Sequence, residues 1–238
     1  MEWESQGIIL ANKDFIENKV IVTIFTSEFG IKKGLCRKKS SIESGNLVHC
    51  FWKARLENHL GYLKVEIVET ISSFLFFNPE KLKILNSLIS ILIKILPEGY
   101  KKIEIYEHFI TLLRLLKTSD EYYKQFIEFD LLLLENLGFK LDLSKCAVTK
   151  KRQDLYYISP KTGRAVSNAA GNQYHDKLIL LPKVLYDLSN NLHINNENKS
   201  MQKEDFIKCV KITNYFIKKF LFDSFNIKFP YHREILVK

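Results

Sequence analysis

The feature that most constrains this chain is a change of hydrophobic period at Asn78-Pro79. Before it, Val, Ile, Phe and Thr recur in near-alternation, in short runs punctuated by Gly, Asn or charge; after it, apolar residues recur three and four apart. A period of two belongs to strands and a period of 3.6 to helices, so the sequence carries two architectures in series. The alternating part predicts strands over 6–11, 20–26, 30–37, 46–56 and 62–68, with Glu57-Asn58-His59-Leu60-Gly61 as a hairpin loop. Five strands in about 70 residues suit a small closed barrel.

At the switch, Asn78 is placed to cap a helix and Pro79 to occupy its first position, where the missing N–H costs nothing. Leu82, Leu85, Ile89, Leu92 and Leu96 form one stripe, Ile84, Leu88, Ile91 and Ile95 a second, and Pro97 stops the run. A second helix is expected over 103–117, and a third after the capping pair Ser119-Asp120, ending at Gly138. A last helix is expected over 203–222, with a mobile Asn-rich loop over 190–200 before it. Positions 143–175 interrupt the helical pattern with a strand-like Leu155-Tyr156-Tyr157-Ile158 and the turn Ser159-Pro160-Lys161-Thr162-Gly163, which reads as a hairpin inserted in the bundle. The fold class is therefore α+β: a barrel over 1–75 and a helical domain over 76–238 with an insert at about 143–175.

Charge is unevenly placed. Lys plus Arg number 36 against 27 Asp plus Glu, and the 17 basic and 8 acidic residues of 143–238 account for the whole excess of +9. Such a balance favours a polyanionic partner. The greasiest run, 84–96, is interrupted by Asn86, Ser87, Ser90 and Lys94 and is shorter than the ~20 residues of a membrane helix. The start, Met1-Glu2-Trp3-Glu4-Ser5, is acidic where a signal peptide is basic. Cys36, Cys50, Cys146 and Cys209 lie far apart and are expected as reduced thiols. The expectation is a cytoplasmic, nucleoid-associated protein without a membrane partner.

No phosphate-cradling glycine loop, nucleophile elbow or paired-histidine metal motif occurs, so no catalytic residues and no cofactor are assigned. Glu104, Glu107 and His108 read as the wet face of a helix. The densest cationic run is Lys32, Lys33, Arg37, Lys38 and Lys39, free of acids; Lys53 and Arg55 form a second small cluster on the fourth strand beside Trp52, two residues apart and so expected on one face. Cations that track phosphates beside flat rings on which bases stack are what a single-strand groove requires, with Trp52 the stacking candidate. Phe25 and Phe29 read rather as barrel core. A further group, Lys145, Lys150, Lys151, Arg152, Lys161 and Arg164, either continues that surface or forms a solvated rim. Lys218 and Lys219 read as a solvated helix face.

Several segments together resemble a known family. Gly7-Ile8-Ile9-Leu10, Phe25-Thr26 before Gly30, Gly34 before Arg37-Lys38-Lys39, and the run 45–61 around Trp52 are similar to bacterial RecO proteins of the alphaproteobacterial type. So are Leu141-Asp142-Leu143-Ser144-Lys145-Cys146-Ala147, the segment 157–167, and Pro230 with Arg233. The resemblance implies an N-terminal OB-fold and a helical domain that in many relatives carries a four-cysteine zinc module. Here Cys146-Ala147-Val148-Thr149 keeps one cysteine of the first pair and the second pair is missing, short of the roughly four ligands of a structural zinc, so no zinc is expected and packing alone should hold the insert.

The resemblance also implies a non-enzymatic recombination mediator. Such a protein binds single- and double-stranded DNA, anneals complementary strands, and with RecR promotes RecA loading where single-strand DNA-binding protein covers a gap. Family members bind the acidic tail of the latter through the helical domain, for which Leu113, Arg114, Leu116 and Lys117 are the candidates here. The competing class is an OB-fold nuclease, which needs carboxylates gathered around Mg²⁺ where the sequence has only scattered acids.

Overall fold

The alternating third of the chain closes on itself. In a computed structural model, which describes residues 1–56, 59–190 and 200–237, strands β1 (Glu2–Ile16), β2 (Lys19–Thr26), β3 (Gly30–Arg37), β4 (Leu47–Lys53) and β5 (Gly61–Glu69) form a closed barrel of order β1-β2-β3-β5-β4. Every neighbouring pair is antiparallel except β3 and β5, which meet in parallel through Gly34↔Gly61 and Leu35↔Tyr62. Glu57 and Asn58 of the expected hairpin loop, most of the Asn-rich loop, and Lys238 lie outside the described residues.

β1 is longer at both ends than the alternation predicts. Its first half pairs with β4, from Glu2↔Lys53 to Ile8↔Leu47, and its second half with β2, from Gly7↔Thr26 to Ile16↔Lys19. β1 thus closes the barrel by pairing with a different neighbour along each half, and a register shift between Ile9 and Ala11 bends it. Asn12, Lys13 and Asp14 are exposed, so they leave no hydrophobic trace of the strand they belong to. Inward residues Ile9, Val20, Val22, Ile24, Val48, Cys50, Trp52, Leu63 and Val65 fill the barrel.

A short helix α1 (Ser72–Leu75) leads into α2 (Pro79–Ile95), whose N-cap Asn78 accepts a hydrogen bond from the Lys81 N–H at 3.1 Å, and α3 (Ile103–Thr118) follows. These helices belong with the barrel in one compact unit, Met1–Asp120. Two contacts show how: Gly99 N–H donates to the Ile31 carbonyl at 2.9 Å, and Tyr106 of α3 packs edge-on against Phe25. Gly30 has φ +63°, and a Cβ there would strike the Tyr100 backbone.

The second unit, Glu121–Lys238, contains α4 (Tyr123–Asn136), β6 (Leu155–Ile158), β7 (Ala165–Ser167), α5 (Asn168–Gly171), β8 (Ile179–Leu180), α6 (Lys183–Ser189), α7 (Lys203–Ile217) and α8 (Tyr231–Glu234). Ser119 does not cap α4. It terminates α3, its N–H donating to Leu115, while α4 begins after Tyr122 without a side-chain cap. Gly138 ends α4 with φ +88°, as its position after the last apolar residue predicts. The expected hairpin is present as β6 and β7, extended by β8 into a three-stranded sheet of order β7-β6-β8. The last expected helix is α7 followed by a π-turn at Lys218–Phe222.

Arg233 and Asp130 are both fully buried and ion-paired within this unit. The Thr213 hydroxyl donates to the same carboxylate at 2.6 Å, and Arg233 Nε donates to Asn214 Oδ1 at 2.5 Å. Among the described residues, no helix is long and apolar enough to cross a membrane.

Candidate nucleic-acid interface

The pairing of β1 with β4 sets Trp3 opposite Trp52 and Glu4 opposite Phe51. Successive strand residues face opposite ways. Trp3 therefore joins the inner face, stacked on Phe29 with centroids 4.2 Å apart and on Trp52 at 5.4 Å, while Phe51, Lys53, Tyr62 and Lys64 line the outside of β4 and β5. At the barrel mouth these elements surround a cleft of about 780 Å³, reached also by Arg37 at the end of β3, by Glu17 and Asn18 of the β1–β2 turn and by Lys19 at the start of β2.

This geometry corrects several expectations. Trp52 is no stacking platform: at 2 % exposure it is barrel core, its Nε1 donating to the Lys33 carbonyl at 3.0 Å. Gly61 makes room for it, since a Cβ at that position would overlap the indole. The ring with a surface to offer is Tyr62, 69 % exposed. Lys32 is 6 % exposed, its ammonium 5.8 Å from the Trp52 ring centroid, so alternation along β3 turns it away from solvent and leaves Lys33 outside. Arg55 lies beyond the end of β4 and so does not share a strand face with Lys53.

The outward cations carry carboxylate partners from their own chain. Lys33 pairs with Glu98, Lys38 with Asp14 at 2.7 Å, Lys53 with Glu2 at 2.8 Å and Lys64 with Glu66 at 2.8 Å. The hydrogen bond and charge of Lys53 lower the Glu2 pKa, and Glu2 raises that of Lys53 in return. Both are exposed, and such pairs exchange readily for another anion. Arg37 and Lys19 have no carboxylate at ion-pair distance among the described residues. Lys39 is exposed beside them. Sequence reasoning missed Tyr62, Lys64, Phe51 and Lys19, although parity with Lys53 along β4 and β5 marks three of them as outward.

The insert presents Lys145, Lys150, Lys151, Arg152, Lys161 and Arg164, all exposed. Lys219 is half-buried rather than part of a solvated face, because its ammonium donates to the Pro160 carbonyl and holds the 159–163 turn. Packing alone does not hold the insert either. Cys146 is buried with Tyr157 and Val166; its sulfur accepts hydrogen bonds from the N–H groups of Thr149 (3.4 Å) and Ser167 (3.3 Å), and its thiol donates to the Ser167 hydroxyl oxygen (3.4 Å). Burial opposes its ionisation, but these hydrogen bonds outweigh burial and bring the thiol pKa down to about 6. One thiol with a hydroxyl does not fit a zinc ion, and no group of three His, Cys, Asp or Glu able to hold a metal occurs among the described residues.

Two of the residues considered for a partner's tail are core: Leu113 and Leu116 are 0 % exposed. Arg114 and Lys117 are on the surface, both bound to Glu69 at 3.1 and 3.0 Å, which lowers the Glu69 pKa.

A closed five-stranded barrel in the order 1-2-3-5-4, with the ligand-sized cleft at the mouth and helices after it, defines an OB-fold protein with a helical C-terminal region. The sequence families described as Recombination protein O N terminal and Recombination protein O C terminal match residues 1–74 and 77–225. The chain is 39 % identical over 244 residues to DNA repair protein RecO of Wolbachia sp. subsp. Drosophila simulans (strain wRi), covering 100 % of this chain and 99 % of that one. It is 39 % identical over 223 residues to DNA repair protein RecO of Rickettsia canadensis (strain McKiel), covering 92 % and 88 %. For DNA repair protein RecO of Anaplasma marginale (strain St. Maries) the figure is 32 % over 223 residues, covering 93 % and 92 %. The chain belongs to the RecO family of DNA repair proteins.

Proposed function

We propose that this chain is a non-catalytic recombination mediator. It binds single- and double-stranded DNA, anneals complementary strands, and with RecR promotes RecA loading onto gaps covered by single-strand DNA-binding protein. The observation that carries this reading is the barrel-mouth cleft, where an exposed tyrosine stands among the outward cations Arg37, Lys19, Lys53 and Lys64. Two strands repel through their phosphates, and a surface that neutralises both lets bases approach to pairing distance with no covalent step. Arg37, Lys38, Lys39, Lys33 and Lys53 act as phosphate contacts on the barrel, with Lys150, Lys151, Arg152, Lys161 and Arg164 as those of the insert. Lys33, Lys38 and Lys53 exchange their carboxylate partners for phosphate as DNA arrives. Arg114 and Lys117 meet the acidic tail of single-strand DNA-binding protein by leaving Glu69.

The test is annealing of two complementary labelled oligonucleotides on a gel, with and without Mg²⁺ and ATP. Faster annealing of intact strands without either addition is the expected result. Cut strands would make the chain a nuclease, and no binding at low salt would remove DNA as its partner.

A further inference from the structure

The volume of the barrel-mouth cleft, about 780 Å³, falls in the range of ~300–1,000 Å³ in which proteins enclose one small molecule. A tract of strand does not fit such a space, whereas one or two bases do. Tyr62 stands at its edge with no ring or ion contact among the described residues, leaving its face open for stacking. The polar lining is not what phosphate alone would select, because Glu2, Glu4 and Glu17 share the cleft with the cations. Glu2 is held by Lys53. Glu4 and Glu17 are exposed and have no cationic partner among the described residues.

An ionised carboxylate only accepts hydrogen bonds, and it repels phosphate and carbonyl oxygens. Its matching groups on a nucleic acid are N–H donors on base edges. Cytosine, adenine and guanine each carry an exocyclic amine; thymine carries none and offers one imino N–H between two carbonyls.

We propose that the cleft seats one or two unpaired bases against Tyr62, with Glu4 and Glu17 accepting from an exocyclic amine, so that the chain selects amino-bearing bases over thymine. This deepens, and rests on, the reading of the barrel as a DNA-binding surface. An anchor of one or two bases leaves the flanking bases free to pair, as annealing requires, and the carboxylates turn the phosphates outward to the cationic rim.

The experiment titrates the full chain with single strands of about twelve deoxycytidines or about twelve thymidines, a length within the reach of one OB-fold. Anisotropy of a dye on the oligonucleotide reports total binding. Fluorescence of Trp3 and Trp52, the only two tryptophans and both in the cleft lining, reports its occupancy. The cytosine strand is expected to bind about three- to tenfold more tightly than the thymine strand, with a tryptophan change. Glu4→Gln and Glu17→Gln are expected to bring the ratio toward one, because an amide also donates to thymine carbonyls; thermal melts check that both variants are folded. Equal affinities, a preference for thymine, or binding without a tryptophan change would overturn the base-selecting cleft while leaving DNA binding intact. No anisotropy change with either strand at low salt would overturn both readings.

Discussion

Arg233 and Asp130 illustrate how a single pair ties distant chain segments together. Burial raises the Asp130 pKa and lowers that of Arg233, and each charge opposes the shift of the other. Removing one partner leaves the other charged and out of water, so Arg233→Met should destabilise the second unit by about 3–5 kcal/mol, whereas Asp130→Leu with Arg233→Met should recover much of that loss; urea melts check both. Cys146 has a pH signature. Its folded pKa of about 6 lies below the ordinary thiol value of ~8.5, so its contribution to stability is fully present above the ordinary value and is lost as pH falls through about 6. Hydrogen exchange in β6 and β7 should therefore slow, beyond the chemical effect of pH, between these limits, and Cys146→Ala should flatten that dependence. The partners of neither residue are legible in the sequence, where Arg233 stands 103 positions from Asp130.

At the scale of elements, strand parity decides which side chains meet solvent. Trp52 and Lys53 are neighbours in sequence but face opposite ways, one into the barrel and one into the cleft. Tyr62→Ala is expected to weaken single-strand binding by about 1–3 kcal/mol with little change in melting temperature. Trp52→Ala is expected to cost the barrel about 3–5 kcal/mol in a denaturant melt, because it empties a core position. A Tyr62→Ala variant with unchanged affinity would remove the ring from the interface. β3 has the bounds its flanking turn residues predict, Gly30–Arg37, but its faces are not readable, because Lys32 shares the inward parity of Cys36 while Leu35 shares the outward parity of Lys33. β1 is readable only in part, since its second half, with Asn12, Lys13 and Asp14, is exposed and polar and breaks the alternation.

At the scale of the molecule, the change of period and the compact units fall in different places. The period changes at Asn78-Pro79, whereas the chain clusters as Met1–Asp120 and Glu121–Lys238. The barrel buries Ile31, Phe25 and the base of β3 with the help of α2 and α3, through the Gly99 hydrogen bond and the Tyr106 ring. A fragment of residues 1–120 is therefore expected to melt cooperatively, and a fragment of residues 1–75 to lose that cooperativity, which circular dichroism against temperature decides. Two similar, sharp transitions would instead show the barrel to be self-sufficient.

Local chemistry was enough to determine the five barrel strands, the hairpin of the insert and the four long helices, but not α1, α5, α6, α8 or β8, which are too short to show a period. Alternation marks strands, a 3.6-residue period marks helices, and Asn78, Pro97 and Gly138 mark helix boundaries, because each of these signals arises from contacts a few residues apart. The order of segments around Gly7, Trp52, Cys146 and Gly163 was likewise enough to point to the RecO family. Only the tertiary structure decided which cations are outside, that Trp52 is core and Tyr62 is not, that carboxylates share the cleft, and that three hydrogen bonds surround Cys146. Those outcomes depend on barrel closure, which brings β3 to β5 and the start of β1 to the end of β4. Residues some 50 positions apart become neighbours there, and no short-range pattern records that proximity.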